Sequence, residues 1–134
     1  MTKYESHNTN LTSEFYIASL LFRLGYIVTI TLGHTKEIDL IVVNKEGKKI
    51  SIDVKGLIGK ANWPLKPQLT REDHFYILVT YKDKFNDLDI FPEVFIIPSK
   101  DISNLITNWK NRSGVMYKDI KDSKYKNAWD LLFK

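Results

Sequence analysis

The spacing of apolar residues changes period near residue 25, and the change predicts where one element gives way to the next. From Leu11 to Leu24 apolar side chains recur at helical spacing: Leu11, Phe15, Ala18, Leu21 and Phe22 share one arc, while Ser13, Tyr16, Ser19 and Arg23 fall elsewhere. Asn8, Thr9 and Asn10 carry short side-chain acceptors suited to capping a helix start, and Gly25 suits its stop, so a helix is predicted to run to about Leu24. Beyond it the period falls to two. Segments 26–32 (YIVTITL), 37–44 (EIDLIVVN) and 48–55 (KKISIDVK) read as strands. In the last, Ile50, Ile52 and Val54 face one way and Lys49, Ser51, Asp53 and Lys55 the other.

Segments 74–81 (HFYILVTY) and 93–97 (EVFII) are almost wholly apolar, as central strands buried on both faces should be. A Gly- and Pro-bearing stretch from Gly56 to Pro67 separates them from the first three strands and reads as a loop. Pro98-Ser99 introduces a helix predicted near 100–109, and a second is predicted near 125–133, with Trp109 and Trp129 on their apolar sides. The order α-β-β-β-loop-β-β-α-α predicts an α/β fold, a mixed sheet flanked by helices, in one domain spanning 1–134.

Four residues break this pattern. Glu14 lies within the apolar arc of the first helix, and Asp39 interrupts an apolar strand on the side of Ile41 and Val43. Asp53 and Lys55 project from one face of the next strand. Whether the aspartates meet depends on the turn at Asn44–Lys48. A three-residue loop, Lys45-Glu46-Gly47, puts Gly47 at the left-handed position of a type I turn with a bulge. It pairs Asn44 with Lys48 and Asp39 with Asp53, whose Cα atoms then stand roughly 4.5–5.5 Å apart. A two-residue loop would force Glu46 to positive φ, and a slip of one residue would put the acids on opposite faces. Facing carboxylates repel, and a divalent cation relieves the repulsion; all-oxygen donors favour Mg²⁺ or Mn²⁺. The alternative is that Lys55 neutralises Asp53 while Asp39 faces water.

A helical Glu (Glu14), then Ile38-Asp39 on one strand, then Asp53-Val54-Lys55 on the next resembles the PD-(D/E)XK, or restriction-endonuclease-like, nuclease superfamily. Ser13-Glu14-Phe15, Gly25-Tyr26-Ile27-Val28 and the run from Glu37 to Val42 are similar to a group of small bacterial members. The resemblance covers Asn8 to Tyr81, departs from the pattern at Ile38 where Pro is nominal, and carries nothing over to Gly56–Pro67. It implies a helix followed by a three-stranded antiparallel meander, and a metal-dependent endonuclease acting on DNA. Asp39, Asp53 and the Val54 carbonyl would hold Mg²⁺, Lys55 would act on the attacking water or the transition-state charge, and Glu14 would orient water or complete a second metal position. Cleavage of both strands of a duplex implies a homodimer. A non-catalytic nucleic-acid- or protein-binding module on the same fold is the competing expectation.

Composition adjusts this little. The 134 residues are 43% hydrophobic with seven Tyr, seven Phe and three Trp, enough for a sizeable core. No cysteine means no disulfide framework, thiolate metal site or cysteine nucleophile. No apolar segment suggests a signal peptide or a membrane span, and a cytoplasmic location with no membrane partner and no organic cofactor is expected. The net charge of +4 is modest, but 45–66 and 110–126 are richer in base than acid, and Lys60 and Lys66 are candidate contacts to DNA phosphates. Gly56–Lys60 lacks the spacing of a phosphate-binding P-loop. His7, His34 and His74 match no metal motif, Gln68 reads as a surface residue, and Trp63 is expected to pack against the domain rather than stack on a base.

Overall fold

In the computed structural model, which describes residues 3–31, 38–66 and 70–134, the change of period near residue 25 marks the end of one long helix and the start of a sheet. The helix, α1 (Lys3–Arg23), begins earlier than the Asn8–Asn10 run suggests. Those residues lie inside it because the hydroxyls here bond along the helix axis. Thr9 Oγ1 donates to the Glu5 carbonyl and Ser13 Oγ to the Thr9 carbonyl, each at 2.7 Å. The buried face is correspondingly rotated. Thr9, Ser13, Glu14, Ile17, Ala18 and Leu21 turn inward, while Phe15 and Phe22, expected on the apolar arc, are 51% and 53% exposed. Gly56 on the sheet explains why small polar residues face in. A Cβ there would stand 2.3 Å from Ser13 Oγ and 2.9 Å from the Thr9 carbonyl oxygen, so the helix approaches the strand through the missing side chain.

The expected meander is present: β1 (Ile27–Ile30), β2 (Leu40–Val43) and β3 (Lys49–Leu57) pair antiparallel in sequence. The turn between β2 and β3 is the three-residue one. Asn44 N–H donates to the Lys48 carbonyl at 3.0 Å, Gly47 has φ +86°, and Asn44 Oδ1 accepts the N–H groups of Glu46 and Lys48. Register follows: Val43 faces Lys49, Ile41 faces Ser51 and Leu40 faces Ile52. β5 (His74–Thr80) runs parallel to β3, and β6 (Glu93–Pro98) antiparallel to β5, giving the mixed order β1-β2-β3-β5-β6. Every residue of β5 is buried, as its unbroken apolar run requires.

The expected loop and C-terminal helices are instead mostly a second sheet. β4 (Asn62–Pro64), β7 (Ile106–Asn108) and β8 (Ser113–Met116) form a three-stranded antiparallel sheet with β8 central. The predicted helix at 100–109 is a single turn, α2 (Ser99–Ile102), a 3-10 turn to Leu105, and then β7. A second single turn, α3 (Tyr117–Ile120), follows β8, and near the C-terminus only Trp129–Leu131 is helical, as a 3-10 turn. Trp109 therefore lies on no helix; it is half-buried with the Arg112 guanidinium 5.0 Å from its ring centre. Residues 125–127 cover the β6 edge, where Ile96 N–H donates to the Tyr125 carbonyl and Asn127 N–H to the Val94 carbonyl.

Two cores lie on opposite faces of the main sheet. On one, Ile17 and Leu21 of α1 pack on Leu40, Val42, Ile50, Ile52, Ile77 and Val79. Each such burial contributes roughly 1.5–3 kcal/mol. On the other, Trp63 packs with Leu78, Phe95, Ile97 and Val115, fully buried, its Nε1–H donating to the Val79 carbonyl at 3.0 Å. Trp63 thus packs within the protein as expected. Among the described residues no helix is long and apolar enough to cross a membrane.

Candidate active site

The two aspartates enter the site from adjacent strands. Asp39 sits just before β2, its carbonyl accepting the Thr31 N–H at 2.9 Å and its N–H donating to the Ile52 carbonyl at 3.0 Å. The paired register ends at Leu40–Ile52, and because the Asp39 N–H also reaches the Ile52 carbonyl while its own carbonyl turns to Thr31, the strand bulges at Asp39 and the expected Asp39–Asp53 pair lies beyond the register. Because Asn44 and Lys48 form a hydrogen-bonded pair, even-numbered positions of β3 point their backbone groups towards β2, and Val54 N–H would next meet position 38. Instead it donates to Asp39 Oδ2 at 2.7 Å. The carboxylate thus takes the place of a strand carbonyl where β2 ends, and the Val54 carbonyl points towards the same edge.

Asp53 is held differently. Only 7% exposed, it accepts Arg71 Nη2 on Oδ2 at 2.9 Å, and His74 Nε2 lies 3.2 Å from the same oxygen. The His74 contact is within ion-pair distance but off hydrogen-bond geometry. His74 comes from the first position of β5, beside Ser51 in the parallel register, and packs edge-on to Tyr76. Arg71 comes from the turn before β5. There Asp73 takes a left-handed φ of +51°, and Ser99 Oγ accepts the Arg71 N–H at 3.2 Å. Burial pushes the Asp53 carboxyl pKa up, but His74 and then Arg71 outweigh it, and the net shift is downward. Arg71 responds in the opposite sense: burial lowers its pKa, while Tyr76 and Asp53 raise it further.

Lys55 is half-buried on the Asp53 face of β3 and, among the described residues, makes no ion pair or hydrogen bond. The counter-charge of Asp53 is therefore Arg71, not Lys55. Glu14 is 4% exposed on the opposite, α1-covered side of the sheet. Among the described residues no group of three or more His, Cys, Asp or Glu is gathered to hold a metal ion, so Glu14 does not join the two aspartates in one cluster. Lys60 and Lys66 are exposed, one in the turn after β3 and the other after β4. His34 and Gln68 lie outside the described residues.

Sequence reading missed Arg71 and His74. His74 carried a usable signal, since it is polar at the head of an apolar strand, the same anomaly that singled out Asp39. Arg71 carried none, because nothing local says that a polar turn at 70–73 folds back onto residue 53. The site as built holds two carboxylates on neighbouring strands, one tied to the Val54 N–H and the other to the Arg71 guanidinium, with a lysine charge two residues along from Asp53.

No protein-family model and no curated protein matches the sequence. The fold is similar to that of the bacterial homing endonuclease I-Ssp6803I, with a TM-score of 0.56 over 94% of this chain and 90% of that one, at 16% sequence identity. At that identity the likeness is one of fold: a mixed α/β arrangement also found in an endonuclease.

Proposed function

We propose that this chain is a metal-dependent endonuclease hydrolysing phosphodiester bonds of DNA, on a core of the PD-(D/E)XK type. The observation that carries the reading is the Asp39 carboxylate bound to the backbone N–H of Val54, next to Asp53, with Lys55 unpaired among the described residues. Fold likeness to a homing endonuclease supports it. The donors suit a hard cation: two carboxylates and the Val54 carbonyl are all oxygen, and Arg71 and His74 both lie against Oδ2 of Asp53. Mg²⁺ or Mn²⁺ held by Asp39, Asp53 and the Val54 carbonyl would supply Lewis-acid polarisation of the scissile phosphate, and Glu14, buried on the α1-covered side, has no place in that site.

The chain's own groups do the rest. Lys55 extends its side chain from the Asp53 face, where as the free amine it takes a proton from the attacking water, or as the ammonium it stabilises charge on the phosphoryl oxygens. Val54 N–H fixes the Asp39 carboxylate in orientation. Lys60 and Lys66 contact DNA phosphates without reading sequence, and a homodimer supplies one site for each strand of a duplex.

One observation favours the rival reading, a non-catalytic nucleic-acid- or protein-binding module. With Arg71 and His74 already on Asp53, that carboxylate has its counter-charge without a metal. The deciding experiment incubates the protein with plasmid, linear, single-stranded and branched DNA, and with RNA, in Mg²⁺, Mn²⁺ or EDTA. Metal-dependent cleavage of DNA is expected. Failure to cut any of these in either metal would leave the binding module.

A further inference from the structure

We propose that Arg71 is an exchangeable counter-ion: it neutralises Asp53 in the free protein and passes to a phosphate of the bound nucleic acid, leaving Asp53 to the metal. The inference rests on the nuclease reading above and adds to it a coupling between the two ligands.

Asp53 and its partners occupy different depths. His74 is fully buried and cannot leave without disturbing β5, whereas the Arg71 side chain is 32% exposed and can leave Asp53 for solvent by giving up its contacts with Asp53 and Tyr76. The Arg71 backbone is anchored by Ser99 Oγ, so exchange asks only the side chain to move. Its Nε is buried with no hydrogen-bond partner, which leaves a donor unused in the Asp53-bound position. Arg71 and His74 also line a cavity of about 780 Å³ whose wall carries Lys48, Lys100 and Lys124. Glu72, Asp73, Asp101 and Asp130 line the same cavity and Lys48 pairs with Asp73 at 3.7 Å, but Lys100 and Lys124 have no carboxylate partner among the described residues and are left to meet a phosphate. A planar guanidinium suits either partner, since its fork fits a carboxylate and a phosphate alike.

If one arginine serves both, metal and nucleic acid affinities must respond to its loss with opposite signs. Two single-ligand titrations read this with no cleavage possible. Mn²⁺ is titrated calorimetrically into DNA-free protein, and a mixed-sequence DNA duplex is titrated into protein in EDTA at several salt concentrations. Arg71→Gln is expected to bind Mn²⁺ about ten-fold more tightly than wild type, because no internal cation competes for Asp53. It should bind duplex more weakly, with a salt slope lower by about one counterion. Mn²⁺ affinity that is unchanged or lower, or DNA binding that is unchanged, overturns the proposal and makes the ion pair purely structural. Should Arg71→Gln fail to show a wild-type circular dichroism spectrum, Arg71→Lys replaces it. That variant should bind Mn²⁺ about three-fold more tightly, with the salt slope retained, and unchanged Mn²⁺ affinity again overturns the exchange. Cleavage by the wild-type enzyme is scored separately, so failure of the exchange leaves the nuclease reading standing.

Discussion

On the face of the main sheet covered by α1, the strands present Leu40, Ile52, Ile77 and Val79 to Ile17 and Leu21, and alternation alone determines which side chains meet. On the opposite face the same strands present Asp53, Lys55, His74 and Tyr76, and what meets them comes from a turn, Arg71, that no periodicity marks. Burial of apolar area is non-directional, so the first face tolerates any side chain of suitable size. A buried carboxylate needs a partner at a defined point, so the second depends on single contacts. Substitutions should therefore separate the faces: removing the unpaired Lys55 charge alters chemistry at little cost in stability, and changes on the α1 face do the reverse.

The largest effect is expected at Lys55. Lys55→Met keeps the stem that covers apolar surface and removes only the charge. The ammonium has no ion-pair partner among the described residues, so the fold loses almost nothing. Cleavage of plasmid DNA in Mg²⁺ should fall by about 10³–10⁴-fold, while DNA binding and melting temperature stay near wild type. A variant that cuts as fast as wild type would remove Lys55 from the mechanism.

Next comes the α1 face. Gly56→Ala places a methyl 2.3 Å from Ser13 Oγ and 2.9 Å from the Thr9 carbonyl oxygen. The hydroxyl can rotate away but the carbonyl belongs to the helix, so α1 must lift from β3. Stability to urea should fall by about 3 kcal/mol. Gly47→Ala is the control. Its Cβ meets nothing within 4 Å, and the cost is only that of a left-handed alanine, about 1–2 kcal/mol.

These two glycines also measure how far the sequence could be read. Gly47 was legible because a turn between alternating strands states its own geometry, and with it came the register of β2 on β3 from Val43 to Leu40. Gly56 was not, since its reason is a helix more than forty residues away. The N-terminal helix and five main strands were legible because each shows a sustained period or an unbroken apolar run. β4, β7 and β8 were not, because three or four residues are too few to show alternation, and the apolar residues of 100–109 fit a helix as well as a turn followed by a strand. Asp39, Asp53 and Lys55 stood out as charge in apolar company. Their electrostatic setting did not, because the guanidinium that neutralises Asp53 arrives through tertiary structure alone.

The Asp53 cluster makes a pH-dependent test of the charged face. Its folded pKa is lowered, so the group contributes stability above its unfolded pKa, about 3.9, and that contribution is lost as pH falls through the folded value. Urea midpoints of wild type and Asp53→Asn, measured from pH 6 down to pH 2, should differ most at pH 5–6 and converge in the acid range. Glu93, also shifted down by its neighbours Lys126 and Tyr117, titrates in both proteins and cancels in the difference. A gap that stays constant across the range would mean that Asp53 gains nothing from its charge.

The smallest change in stability is expected at Asp39, though not the smallest in ligand response. Asp39→Asn retains a side-chain oxygen that can still accept the Val54 N–H, so the backbone contact at the end of β2 survives. One of two carboxylates on neighbouring strands disappears, which lowers the negative charge near Asp53. These effects leave the metal-free variant within about 1 kcal/mol of wild type, or slightly more stable. The response to metal should differ sharply. Saturating Mn²⁺ should raise the wild-type melting temperature, because a ligand bound only by the native state stabilises it by mass action, and the variant should show no such rise. A metal-free Asp39→Asn protein that melts far below wild type would make the carboxylate a structural cap on β3. Equal Mn²⁺ shifts in the two proteins would place the metal elsewhere. Either result would leave the charged face without the ligand that sets it apart from the α1 face.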